Sequence, residues 1–132
     1  MKLKVHHIAF TVENLEESIN WYEEKLQFKL ISKHKSNDVD LAILELGEIR
    51  IELFNFGNET KQLPDYRKEL MSDLKTIGTK HLCLQTEDLE NTIQKLKEKG
   101  VDFITDIDNA SFGGKYIFFK DCNGILIELI QV

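Results

Sequence analysis

Four side chains in this sequence could together hold one metal ion: His7, Glu52, His81 and Glu128. Two neutral imidazoles and two carboxylates suit Zn, Ni, Co, Mn or Fe(II), and such mixed ligation often tends toward octahedral geometry. Four protein ligands would leave two positions for water or substrate. Taken singly, none of the four justifies this reading. A histidine on a strand is more often a hydrogen-bonded structural residue, and a glutamate within Ile-x-Ile-Glu-Leu is more often solvated. The case rests on repetition. Residues 7–19 read HIAFTVENLEESI and residues 81–93 read HLCLQTEDLENTI, while IRIELF (49–54) is echoed by ILIELI (125–130). His7 and Glu52 stand 45 positions apart (52 − 7), and His81 and Glu128 stand 47 apart (128 − 81). A duplication is the economical account.

The elements that must position these groups follow the same order in each copy. A first strand over about 5–12 alternates with period two. A helix follows, with Asn14 as N-cap, Glu17 three residues later, and Leu15, Ile19, Tyr22 and Leu26 on one stripe. Strands are expected near 28–35, 39–46 and 48–56. In the second copy Asp88 caps a helix with Leu89, Ile93 and Leu96 inward, and Gly100 stops it. Strands near 101–105, 115–120 and 125–131 complete the copy, the last two joined by an Asn123-Gly124 turn in which both positions tolerate positive φ. The fold class is α+β: two βαβββ modules forming a curved mixed sheet with helices on the outer face. One domain spans 1–132, with module 1 about 1–56, a connector 57–79 and module 2 about 80–132. Within the connector, Pro64 to Lys75 is expected to add a short helix with Leu70, Met71 and Leu74 inward.

Parity decides which way the four groups point, because successive strand side chains face opposite sides. Ile8, Phe10 and Val12 face the helix, so His7, Ala9 and Thr11 face away. Leu82 and Leu84 face inward, leaving His81, Cys83 and Gln85 opposite. Ile49, Ile51 and Leu53 are buried, with Arg50, Glu52 and Phe54 opposite; Ile125, Ile127 and Leu129 likewise leave Leu126, Glu128 and Ile130. All four candidates therefore share the non-helical face. His6 and His34 have no counterpart in the other copy and read as structural or exposed. Phe112-Gly113-Gly114-Lys115 reads equally as a mobile loop over this face or as plain turn chemistry.

Bulk properties narrow the setting. The 132 residues suffice for one compact domain, with 42% hydrophobic and 30% charged. A net charge of −6 argues against nucleic acid, whose phosphates demand clustered Lys and Arg. No apolar run is long enough to span a bilayer, and the start does not read as a signal peptide. Cys83 and Cys122 lack metal or redox spacing and fit free thiols in a reducing, cytoplasmic compartment. No phosphate-binding Gly motif, Cys nucleophile site or Ser-centred elbow is present.

The chain resembles the vicinal oxygen chelate superfamily, which includes glyoxalase I, methylmalonyl-CoA epimerase, extradiol dioxygenases and bleomycin or fosfomycin resistance proteins. The resemblance covers nearly the whole chain, on VHHIAFTVENLEESINWY (5–22), IRIELFNF (49–56), GTKHLCLQTEDLE (78–90) and YIFFKDCNGILIEL (116–129). It implies a metal ligand in the first and last strand of each module, which falls on His7, Glu52, His81 and Glu128. This His/Glu/His/Glu set is that of glyoxalase I-like members; epimerases usually carry Gln at the position of Glu52, and dioxygenases use two His and one carboxylate. The implied activity is a metal-dependent isomerase or lyase of glyoxalase I type, like lactoylglutathione lyase. It would chelate two adjacent substrate oxygens and stabilise an enediolate, with Glu128, and Glu52 second, as base. Alternatives are an Fe(II) ring-cleaving dioxygenase, an epimerase-like enzyme and an antibiotic-binding or resistance protein. A homodimer is implied by the size of such members. Thr11 stands where glyoxalase I-like sequences often carry a glutathione-contacting arginine, so the thiol is open.

Overall fold

The computed structural model describes residues 1–132, which divide into two compact units, Met1–Gln62 and Leu63–Val132. Unit 1 contains β1 (Ile8–Thr11), α1 (Leu15–Leu26), β2 (Lys29–Lys35), β3 (Asp40–Leu46) and β4 (Ile49–Asn55). Unit 2 contains α2 (Leu70–Lys75), β5 (Leu82–Gln85), α3 (Leu89–Glu98), β6 (Asp108–Asn109), β7 (Lys115–Lys120) and β8 (Leu126–Gln131). The strand orders are β1-β4-β3-β2 and β5-β8-β7-β6, so each unit closes a four-stranded mixed sheet from its own chain. In both, the first strand pairs in parallel with the last and the other pairings are antiparallel.

The helices form where the apolar stripe and the caps agree. The Asn14 side chain accepts the Glu17 N–H at 2.9 Å, and the Asp88 side chain accepts the Asn91 N–H at 3.0 Å. Each cap satisfies a donor that the first turn leaves free. Leu15, Ile19, Tyr22 and Leu26 are buried in unit 1, and Leu89, Ile93 and Leu96 in unit 2. Tyr22 anchors an aromatic cluster with Phe10, Trp21 and Phe28. After α1 the chain turns through Gln27 at φ 63°, a left-handed position without glycine.

Three expectations are corrected. No strand forms over 101–105; Phe103 makes one isolated bridge to Phe119, and the β7 edge is covered by the two-residue β6 instead. The connector helix is only Leu70–Lys75, preceded by a 3₁₀ turn at Asp65–Arg67, and Met71 and Leu74 are exposed. Its buried residue is Asp73, which takes an N–H from Arg67 at 3.3 Å and lies 3.8 Å from the Lys80 ammonium. Lys80 also donates to the carbonyls of Asp73 and Thr76, tying the end of α2 to the residue before His81. The Asp121–Gly124 turn puts only Gly124 at positive φ; the Asp121 carboxylate accepts from the Asn123 and Ile125 N–H groups at 2.8 and 2.9 Å. An aspartate thus closes the turn in place of a second left-handed residue.

Candidate metal centre

Register follows the expected alternation, with one correction: Ile49, expected to be buried, is 42% exposed at the start of β4, where the strand runs beyond its cover. In unit 1, Ala9 on β1 and Ile43 on β3 flank Glu52 on β4. In unit 2, Cys83 on β5 and Phe118 on β7 flank Glu128 on β8. Ile51 and Leu53, then Ile127 and Leu129, point to the opposite, buried side. The structure brings the four predicted residues together as two pairs, one in each unit. His7 Nε2 lies 2.9 Å from Glu52 Oε2, and His81 Nε2 lies 2.8 Å from Glu128 Oε2. Within the single chain, no group of three or more His, Cys, Asp or Glu side chains is arranged to hold a metal.

The surroundings of the pairs differ. His7 is 36% exposed and His81 only 16%, while both carboxylates are 16% exposed. Phe118 packs edge-on against the His81 ring at 4.9 Å, and Leu126 and Ile130 are buried beside Glu128. His81 Nδ1 is buried with no hydrogen-bond partner. His7 Nδ1 does have one, the Nδ1 of His6 at 2.8 Å. That contact was not foreseen: sequence reasoning set His6 aside because it is not duplicated, and only its adjacency to His7 could have signalled it.

Each pair fits a divalent ion on two counts. Bonds of about 2.1 Å to two neighbouring ligands place those ligand atoms roughly 3 Å apart, close to both observed separations. Neither carboxylate is paired with Lys or Arg. A carboxylate left in this setting without a cationic side chain gains from a cation.

Cys83 sits across the strand pair from Glu128. Desolvation, then repulsion by the Glu128 charge and a hydrogen bond to it, push its thiol up to about 12. The group therefore stays protonated at neutral pH and is no nucleophile. Because the folded value lies above the ordinary one of 9.0, any stability the bound proton contributes is present below pH 9 and is lost as pH rises toward 12. Iodoacetamide at pH 8, read by mass spectrometry, should label Cys83 at least about tenfold more slowly than N-acetylcysteine, since the thiolate is the reactive form.

Other candidates fall away from this face. Lys115 is paired with Gln131 and shares its side with Ile117 and Phe119; it lines a hollow at the start of α3 with Asp88 and Glu90. The Gly113-Gly114 segment is a turn between β6 and β7, closed by Gly113 N–H to Ala110 and Ala110 N–H to Gly114.

Residues 4–129 match the model of the Glyoxalase/Bleomycin resistance protein/Dioxygenase superfamily. The chain belongs to that superfamily. Its members act on small molecules and typically bind a divalent metal. Mouse mitochondrial methylmalonyl-CoA epimerase is 25% identical over 97% of this chain and 72% of its own length. Metallothiol transferase FosB of Staphylococcus epidermidis is 30% identical over 95% of this chain and 79% of its own. The crystal structure of a glyoxalase family protein from Enterococcus faecalis has a TM-score of 0.81 at 27% identity, covering 96% of both chains. The superfamily and its fold are thereby shown, while the relatives carry different activities. No helix in the chain is long and apolar enough to cross a membrane.

Proposed function

We propose that this protein is a metal-dependent isomerase or lyase of glyoxalase I type, using His7, Glu52, His81 and Glu128 as ligands to one divalent ion. The observation that carries the reading is the duplicated His–Glu pair, at 2.9 and 2.8 Å on equivalent sheet faces. When bound, the ion supplies Lewis acidity to two adjacent substrate oxygens, easing loss of a proton from the neighbouring carbon. Glu128 is the base. Its carboxylate sits among Leu126, Ile130 and Phe118, which exclude water from the proton it takes. Glu52 is the second carboxylate, beside Ile43 and the more open His7. A glutamate at position 52 favours the lyase type over the epimerase type. We further propose that the active form is a homodimer, which sedimentation would test by mass.

His6 has a supporting role in this reading. A proton on His7 Nδ1, donated to His6 Nδ1, leaves the Nε2 lone pair free for the ion. His6→Phe should weaken metal affinity by about tenfold, measured by competition with a chromophoric chelator. Unchanged affinity would remove His6 from the site.

Activity should be profiled after reconstitution with Zn, Ni, Co, Mn and Fe(II), using methylglyoxal–thiol adducts against a panel of CoA thioesters and catechols. Metal-dependent turnover of a thiol adduct is expected. Turnover confined to CoA thioesters would transfer the protein to the epimerase type, and oxygen uptake with catechols to the dioxygenases. A protein that retains no divalent ion would end the proposal.

A further inference from the structure

We infer that Arg50 anchors an anionic oxygen group, a carboxylate or a phosphate, carried by the substrate at a distance from its metal-chelating end. The inference rests on the metal reading above and adds to it the class of substrate.

Arg50 lies two residues before Glu52 on β4, on the same side of the sheet, so their backbones are separated by roughly 7 Å along the strand. Its Nε–H donates to Glu45 Oε2 at 2.9 Å, and Glu45 is its register partner on β3. A guanidinium carries five N–H donors in a rigid fork, and this bond uses one. The four on the terminal nitrogens stay available for the paired contacts that carboxylates and phosphates accept. Glu45 thus orients the arginine without consuming its binding edge. Both side chains remain about two-fifths and one-third exposed, at 43% and 34%, so a ligand can reach them.

The charge of the row points the same way. Across Glu45 from Arg50, Lys29 on the edge strand β2 is the next register partner. One carboxylate between two cations leaves a single positive charge in excess in this row, and the nearby Glu52 carboxylate is the one assigned to the ion. Unit 2 has no equivalent. Its corresponding row holds Leu126 opposite Lys120, and the Lys120 ammonium is spent on the Lys68 carbonyl. The two copies have therefore kept their His–Glu pairs and diverged beside them, with Leu126 in one at the place Arg50 holds in the other. An exposed ion pair stabilises a sheet little, so stability alone does not account for the arrangement.

The test uses metal-reconstituted protein and three hydroxamates that chelate through the same two oxygens. Acetohydroxamate has no charged tail, succinic monohydroxamate adds a carboxylate, and 3-phosphonopropanohydroxamate adds a phosphonate. Calorimetry should give a Kd at least tenfold lower for one of the tailed compounds than for acetohydroxamate, and which one identifies the anion. Arg50→Met should remove that preference, leaving acetohydroxamate within about twofold of its original Kd, and Arg50→Lys should keep part of it. If acetohydroxamate binds but neither tail helps, or if the preference survives Arg50→Met, the assignment of Arg50 is overturned and the metal reading stands. If no hydroxamate binds, the metal reading itself has failed and this inference falls with it.

Discussion

Glu128→Gln should lower turnover by about 10²–10⁴-fold while the protein still binds its metal. The amide keeps the shape of the side chain and one oxygen that can act as a ligand, but it cannot accept the substrate proton. The range is what a positioned general base contributes. Geometry singles out Glu128 from the two carboxylates, since it is bordered by Phe118, Leu126 and Ile130, all buried, and shares its imidazole partner at 2.8 Å. Glu52→Gln should reduce turnover less, because Glu52 adjoins the more exposed His7. The measurement is kcat alongside metal content by elemental analysis. An E128Q variant with wild-type turnover would show that Glu128 is not the base, and one lacking both metal and turnover would show a ligand role without separating the two.

Gly114→Ala should destabilise the fold by about 2–5 kcal/mol. Gly114 has φ +87°, and a Cβ there would stand 2.1 Å from the Gln131 carbonyl oxygen, an atom of the β8 backbone that cannot swing aside. A left-handed backbone costs an L-residue about 1–2 kcal/mol, and relieving such a clash adds about 1–3. Gly113 is the internal control, because its φ is +100° but a Cβ would meet nothing within 4 Å. Gly113→Ala should therefore cost only the backbone strain, about 1–2 kcal/mol. Urea unfolding of both variants separates strain from collision, and equal losses would show that the 2.1 Å approach relaxes freely.

These two residues also mark how legibility divided. Glu128 could be read from the sequence because strand parity and the duplication each placed it beside a histidine, and both are periodic signals. Gly114 could not be assigned between loop and turn, since a Gly-Gly pair reports permitted φ and not what backbone lies opposite. The stripe Leu15–Ile19–Tyr22–Leu26 and its Asn14 cap were readable for the same reason as Glu128. The failures are aperiodic. Residues 101–105 carry apolar alternation enough for a strand, yet the edge of β7 is paired by Asp108–Asn109, which no propensity favours. In α2 the apolar residues Met71 and Leu74 lie outward while Asp73 is buried, because Arg67 and Lys80 compensate its charge. Such compensation comes from residues six and seven positions away, beyond the three- and four-residue spacing a helix stripe reports. His6 and Glu45 act through single contacts, to His7 and Arg50, that leave no pattern to detect.

Pairing the first strand of each unit in parallel with its last has a consequence for biogenesis. A parallel partner 43 residues away in unit 1 (51 − 8) or 45 in unit 2 (127 − 82) cannot be met by a hairpin, so neither imidazole can find its carboxylate until the intervening helix and two strands have been laid down. A nascent or half-collapsed copy thus offers lone histidines, which hold ions poorly. Under the metal reading proposed above, capture of the ion would wait until a copy has closed its sheet.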